Sequence, residues 1–247
     1  MAIVKDVFVT GTIGNLIFYH RMGKNCVRVK RMHLKQTAAT RVRGINFGIA
    51  SKACKALRSG STATMPVQKD RSLQSGFCGA IAKWIGQSAI EDLMSTDVVP
   101  FVNTFAFTKE QPFGERFKVP FTVSRPQNDA ITINFDAFIP ALKISSPAGT
   151  SLVTLVISVA GCLLKTGEAL GKETYTMEIP YNDTLIPAQV LEFHVAAPAG
   201  SLTVTAARLI YKKFQYNVCE DINNKAFLPA GIIDARYKSL NNHLEMI

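Results

Sequence analysis

LVTLVISVAGCL, at Leu152–Leu163, is the longest apolar stretch of the sequence and decides the class of fold. Thr154, Ser158 and Gly161 interrupt it, and it is too short to cross a bilayer as a helix. Its β-branched residues favour a strand instead, and a turn sequence, Pro-Ala-Gly-Thr at 147–150, stands just before it. The stretch therefore predicts one strand of a β-rich domain.

Seven further stretches on both sides of it are short, rich in β-formers and bounded by turn residues, so each is expected to be a strand. Strands at this spacing predict an antiparallel β-sandwich, immunoglobulin-like or jelly-roll-like, although the Cys–Trp–Cys pattern of a true immunoglobulin domain is missing. The seven predicted strands are Phe101–Phe107, Phe117–Val123, Ala130–Phe138, Thr174–Ile179, Leu191–Ala196, Leu202–Lys212 and Gln215–Cys219.

The N-terminal part has a different pattern. Residues 7–31 are expected to form a β-hairpin, in which the glycines of Gly11–Asn15 serve a turn or bulge because no phosphate-loop ending follows them. Apolar residues recur at helical spacing over Thr37–Leu57 and Leu73–Met94, which predicts two helices. The chain is thus predicted to be mainly β (α+β).

Three regions follow from these patterns and from the distribution of charge. They are a basic hairpin-helix region at 1–97, a β-sandwich domain at 98–220 and a C-terminal tail at 221–247.

Charge is concentrated at the N-terminus. The whole chain of 247 residues has a formal net charge of +10, yet residues 1–90 contain 15 Lys and Arg against only Asp6 and Asp70. Cations at this density favour an anionic partner, either nucleic acid or an acidic protein surface, and the alternative is a solvated face that binds nothing. The candidate residues for binding an anionic partner are Arg21, Lys24, Arg28, Lys30, Arg31, Lys35, Arg41, Arg43, Lys52, Lys55 and Arg58.

No catalytic, cofactor-binding or metal-binding constellation emerges from the sequence. A Gly-x-Ser-x-Gly motif is absent, and His194 lies in an apolar alternation that is typical of a surface or hydrogen-bonded histidine. The five cysteines are scattered, with no Cys-x-x-Cys pair, which favours reduced thiols over a disulfide framework or a zinc site. We therefore expect neither an enzyme nor a cofactor, and no small-molecule substrate.

A short motif runs through the predicted hairpin and into the first helix. It consists of Gly14–Tyr19, Gly23-Lys24, Val27-Arg28 and Lys30, followed by Gln36-Thr37 and Arg43. It resembles an uncharacterised family of Bacteroidetes proteins that open with a G-N-x-x-x-x…G-K…R-x-K hairpin, continue through an Arg-rich helix and end in a β-rich domain. The resemblance covers about the first 60 residues. It implies an architecture and a bacterial or bacteriophage origin, and it supplies no active-site residues.

Two functional hypotheses follow. The first is a structural or interaction protein that assembles into a homo-oligomer, or with other subunits into a larger particle, and whose basic region contacts acidic subunit surfaces or nucleic acid. Virion proteins with a basic arm on a β-sandwich provide an analogy at the level of the fold. The alternative is a sequence-tolerant DNA- or RNA-binding protein that acts as a monomer or dimer. A carbohydrate-binding module is less favoured, because the single Trp84 lies outside the predicted sandwich.

The N-terminus lacks a basic segment leading into an uninterrupted apolar stretch, so no signal peptide is expected. A cytoplasmic location, with assembly in the cytoplasm, fits this pattern and the reduced thiols.

Overall fold

The structure is a computed structural model, and the chain in it forms two compact units, residues 1–42 and 43–247. Each unit is described by itself. The structure describes residues 2–5, 8–30, 36–65, 71–87, 99–108, 112–125, 130–215, 218–223 and 228–239.

The first unit contains a four-stranded antiparallel sheet, which we call the N-terminal sheet. Its strands follow one another in chain order, each paired with the next. The predicted β-hairpin is therefore confirmed, and the structure adds one strand before it. The strands are β1 (Ala2–Lys5), β2 (Phe8–Ile13), β3 (Leu16–Arg21) and β4 (Lys24–Val29).

Two tight turns connect the last three strands of this sheet. Gly14, between β2 and β3, has a φ of +57°, as the hairpin interpretation of Gly11–Asn15 requires. Met22 and Gly23, between β3 and β4, have φ values of +51° and +77°. Two successive positive φ angles are typical of the type I′ turn, whose twist matches that of the strands it joins.

The second unit consists of helices and two further sheets. The first helix, α1 (Ala38–Gly60), begins in the first unit and continues in the second. The remaining elements are α2 (Arg71–Ile85), α3 (Phe113–Arg116), β5 (Phe121–Ser124), β6 (Ala130–Phe135), α4 (Pro140–Lys143), β7 (Leu152–Leu163), β8 (Ala169–Pro180), β9 (Gln189–His194), β10 (Ser201–Gln215), β11 (Val218–Asp221) and β12 (Ala230–Tyr237).

Strand β7 lies inside a five-stranded antiparallel sheet, paired with β8 on one side and with β10 on the other. Its bounds are those predicted from the apolar stretch, and all its residues between the two ends are buried. Because side chains alternate along a strand, β7 supplies two cores. Val153, Leu155 and Ile157 enter one core, and Ala160 and Cys162 enter the other.

The first of these cores lies between the five-stranded sheet and a three-stranded sheet of order β5-β6-β9. Ile133 and Phe135 of β6 and Phe193 of β9 pack there against the odd-numbered residues of β7. Two antiparallel sheets that share one core form a sandwich, so the predicted mainly β (α+β) class with an antiparallel β-sandwich is confirmed.

The second core lies on the opposite face of the five-stranded sheet, where α1 and α2 pack. Leu57 of α1 and Ile81 and Trp84 of α2 are buried there, and the Trp84 ring lies 5.2 Å from that of Tyr237 on β12. Thr64 and Ser158, both fully buried, share a 2.7 Å hydrogen bond beneath the helices. Both predicted helices are confirmed, and they cover the sheet. No helix in the described ranges is long and apolar enough to cross a membrane.

Two predicted elements differ most from the structure. Residues 101–107, predicted as a strand, form turns with one isolated bridge, Ala106 to Gly231, and their aromatic side chains pack on α2 through Phe77. The second helix ends at Ile85, where Gly86 begins a turn, and the remainder of its predicted extent, 88–94, lies outside the described residues.

The predicted C-terminal tail, 221–247, contains a buried strand. Residues of β12 pair with β10 over Leu202–Arg208. Two charged residues of this strand, Asp234 and Arg236, form an ion pair at 2.8 Å. Arg236 also donates to the carbonyl of Val123 on β5 and so connects the two sheets. The domain boundaries at 97/98 and 220/221, as boundaries of independent folding, stay a prediction.

Replacing Gly60 with alanine is expected to lower the free energy of unfolding by about 1–3 kcal/mol, because the added Cβ would collide with the Cβ of Ala160 on β7. Gly44→Ala, in the same helix, is the matched control. Its Cβ would meet no atom within 4 Å, and alanine favours the helix, so we expect a gain of about 0.5–1 kcal/mol. Urea unfolding of both variants measures the difference, and equal effects would contradict the proposed close packing of α1 on β7.

Candidate functional site

The register of the N-terminal sheet sorts its side chains into two faces. Leu16 lies opposite Val29 and Ile13, and Phe18 lies opposite Val27. Residues directly opposite each other point to the same side of a sheet. One side is therefore mainly apolar. We call it the apolar face, and its apolar side chains in the described part are Val9, Ile13, Leu16, Phe18, Val27 and Val29. His20 and Asn25, which lie opposite each other, are on the same side at the end next to the β3–β4 turn.

No further layer of the first unit packs on the apolar face in the residues that the structure describes. Ile13, Val27 and Val29 are 53–62% exposed, Leu16 and Phe18 are half-buried, and no side chain between residues 9 and 30 is buried. A sheet normally buries one face against another layer. Here the described apolar side chains of one face stay at least partly accessible.

The opposite side of the same sheet is cationic. Arg21 lies opposite Lys24, and Arg28 lies opposite Ile17 and next to Tyr19, with its guanidinium carbon 5.8 Å from the centre of the Tyr19 ring. All three cations are exposed. We call this side the cationic face. It brings together three of the residues predicted to bind an anionic partner.

Other predicted residues lie near the ends of these elements. Lys30 is exposed just after β4, where its backbone N–H donates to the carbonyl of Asn15 at 2.6 Å. Arg41 and Arg43 are exposed in the first turns of α1. Arg31 and Lys35 lie outside the described residues.

Helix α1 begins at a cap and stays exposed for its first three turns. The Thr37 side chain accepts the backbone N–H of Thr40 at 3.2 Å, which confirms Thr37 as the N-cap. Val42, Ile45 and Phe47 are 55–63% exposed, although helical spacing places the first two on the apolar stripe that continues into the core. The first buried residue of α1 is Ala50, so the apolar stripe continues for about 10 residues toward the N-terminus of the helix beyond its buried part.

The last three predicted cations, Lys52, Lys55 and Arg58, line one cavity in the second unit. They follow one another at intervals of three on α1, so they lie along one side of the helix. The cavity measures about 550 Å³ and opens between α1 and α2; we call it the helical groove. Its other lining residues are Phe47, Ser51 and Cys54 of α1 and Gln74, Ser75 and Cys78 of α2. None of the lining residues is acidic.

Arg58 lies deepest among the three cations. It is half-buried, and its Nε atom is buried without a hydrogen-bond partner among the described residues. The guanidinium lies beside the Cys54 thiol and lowers the pKa of that thiol, but burial dominates and raises it to about 12. A buried donor of a charged group costs free energy until an acceptor reaches it. Arg58 therefore combines a guanidinium beside the Cys54 thiol with one buried N–H that no described residue accepts.

Three of the cysteines, which are far apart in the sequence, come close together around α1. Burial raises the pKa of Cys54 and of Cys162 to about 12 and also raises that of Cys78, which is hydrogen-bonded to Cys54. All three are reduced. No group of three His, Cys, Asp or Glu side chains in the described ranges is arranged to hold a metal ion.

The cations can be found from the sequence, but the surfaces that carry them cannot. The alternation over Cys26–Lys30 predicts one cationic face and one face on a core, whereas the described apolar side chains of that second face are only partly buried. Gln74 and Ser75 were missed as groove residues, because only the packing of α2 against α1 brings them to the same cavity as Lys52 and Lys55. Phe47 is on α1 and was missed because the hydrophobic pattern alone does not show which exposed aromatic side chain lines a cavity.

Comparison of the chain with known proteins found no matching family model, no similar curated protein and no matching solved structure. The N-terminal sheet and the helical groove are therefore the two surfaces from which a function is inferred.

In the folded protein, two thiols are expected to react rapidly with an aromatic disulfide reagent at pH 8, namely those of exposed Cys219 and half-buried Cys26. Cys54 and Cys162 should react far more slowly, because a thiol with a pKa of about 12 is only about 0.01% thiolate at that pH. Raised pKa values mean fewer thiolates and therefore slower attack. Absorbance of the released thiol counts the sites, with urea-unfolded protein giving all five.

The control for this count is Cys219→Ser, which should lose one fast thiol and leave the slow ones unchanged. Rapid reaction of four or five thiols in the native state would contradict the burial of Cys54, Cys78 and Cys162.

Proposed function

We propose that this chain is a non-enzymatic structural or interaction protein that assembles with further copies of itself through the N-terminal sheet. The observation that carries this proposal is the exposed apolar face on a sheet without a buried side chain in its described part. Contiguous exposed apolar surface in a folded protein marks an interaction site, and a small sheet needs a packed face for stability.

A second copy is the occupant that the geometry favours. Two apolar faces can pack against each other while the two cationic faces point in opposite directions, so like charges stay apart. Strand β4 lies at an edge of the sheet and carries Lys24 and Arg28, with Lys30 just beyond it. Cations on an edge strand oppose edge-to-edge pairing. Face-to-face contact is the arrangement that remains favourable.

The area of the contact favours an assembly larger than an isolated dimer. Four strands about 4.8 Å apart, each of about six residues, cover a face of about 400 Å², so pairing two faces buries about 800 Å². Stable interfaces bury about 1,200–2,000 Å². The exposed side chains of Val42, Ile45 and Phe47 on α1 supply a second apolar surface. Several such contacts per subunit stabilise a particle more than any one of them does alone.

The cationic face takes the role of contacting an acidic subunit surface or nucleic acid within the assembly. Exposed cations at Arg21, Lys24 and Arg28 repel one another until an anionic partner neutralises them. The proposal includes no catalytic step, no cofactor and no small-molecule substrate. The resemblance of the hairpin to the Bacteroidetes family adds a bacterial or bacteriophage origin to this proposal.

Val29→Asp is expected to reduce the assembly, because a carboxylate at the centre of a buried contact is costly to desolvate. Light scattering after size-exclusion chromatography should give a wild-type mass that is a multiple of 27.0 kDa and a lower mass for the variant. The matched control is Val190→Asp on β9, a similarly exposed strand valine of the second unit. It should keep the wild-type mass.

A monomeric wild-type protein at all concentrations, or equal masses for the wild type and Val29→Asp, would refute assembly through this face. Circular dichroism and the urea transition of the second unit verify that both valine variants fold.

A further inference from the structure

We propose that the helical groove is a binding site for single-stranded nucleic acid, with the cations of α1 on the phosphates and Phe47 against a base. This inference concerns a different surface from the proposed assembly contact. It rests on the cation spacing, the missing acids and the exposed aromatic ring, all at one cavity.

The spacing of the cations fits a strand that runs along α1. At 1.5 Å per residue, Lys52 and Arg58 are about 9 Å apart along the helix axis, with Lys55 between them. A nucleic acid strand presents more than one phosphate over that length. The two lysines are exposed and can follow a mobile backbone, whereas half-buried Arg58 provides a fixed donor at the base of the groove.

The electrostatics of the groove favour an anion. None of its lining residues carries a carboxylate, so the cations have no counter-charge within the lining. Arg58 lines the same cavity, and a phosphate oxygen is the acceptor that a guanidinium binds best. Ser51 and Gln74 add a hydroxyl and an amide to the wall, which can donate to phosphate or sugar oxygens.

The presence of Phe47 in the lining favours a nucleic acid over a simple phosphate ion as the ligand. Its ring is 56% exposed and lines the groove beside Lys52. Proteins that bind single strands without sequence preference combine a cationic channel with aromatic rings on which bases stack. A volume of about 550 Å³ is that of a small-molecule pocket, so a single nucleotide of a flexible strand enters it and a duplex does not.

The decisive experiment measures the binding of fluorescein-labelled dT15 to the full chain by fluorescence anisotropy over a range of salt concentrations. Lys52→Ala/Lys55→Ala should bind at least about tenfold more weakly at low salt, with the log–log salt slope reduced by about 1.4, or about 0.7 for each lost phosphate contact. The matched control is Lys118→Ala/Lys143→Ala, which removes two exposed lysines from the second unit away from the groove. It should bind like the wild type.

Equal weakening by the two double variants would show that only net charge matters and would overturn the groove as the site. Neither result depends on a folding defect, because alanine keeps the helix and the Cβ of each lysine, and the urea transition verifies this for both variants.

Phe47→Ala tests the base contact against Phe214→Ala, in which an equally exposed ring is removed from β10. Loss of one stacked base corresponds to a reduction of about 5- to 150-fold in affinity for dT15, and Phe214→Ala should change nothing. Inorganic triphosphate serves as the competitor without a base. If Phe47→Ala binds like the wild type and triphosphate displaces dT15 at equal phosphate concentration, the groove binds phosphate alone and the nucleic acid assignment is wrong.

Binding to Val29→Asp separates this inference from the proposed assembly. A disassembled variant that still binds dT15 through Lys52 and Lys55 supports the groove as a site of the single chain. If the disassembled variant does not bind dT15, the groove is not the site. The lower mass of that variant still supports assembly through the apolar face.

Discussion

The burial of β7 on both faces is the constraint on which the rest of the second unit depends. Its odd-numbered residues enter the core of the sandwich, and Ala160 and Cys162 enter the core beneath the helices. A strand buried on both sides is mostly apolar, so it reads as a nearly continuous run. Ser158, one of its buried polar residues, is hydrogen-bonded to Thr64. Small residues on the helix side, with Gly60 of α1 directly against Ala160, let the helix approach the sheet closely.

The N-terminal sheet contrasts with that arrangement. It has the same alternation of side chains, yet no side chain between residues 9 and 30 is buried. Hydrophobic burial supplies most of the stability of a sheet, and a sheet of four short strands without a packed face gains little of it.

The strands that periodicity and length determine locally could be predicted, and β7 was predicted with its true bounds. Elements whose place depends on contacts with residues far away in the sequence could not be predicted. Asp234 and Arg236 are charged residues inside β12, and their mutual ion pair and the bond from Arg236 to the Val123 carbonyl stabilise them in the buried strand. The cations of the groove were found from charge alone. The groove itself depends on the packing of two helices, which has no signature at the level of single residues.

The hydrogen bond between Thr64 and Ser158 joins residues 94 positions apart, and it has a consequence for the synthesis of the chain. Helices α1 and α2 leave the ribosome well before the strand that covers them, so their apolar side waits for its partner. At translation rates of about 5–20 residues per second, that wait lasts roughly 5–20 s. During this interval, the nascent helices present uncovered apolar surface, and ribosome-associated chaperones that bind such surface have time to engage them.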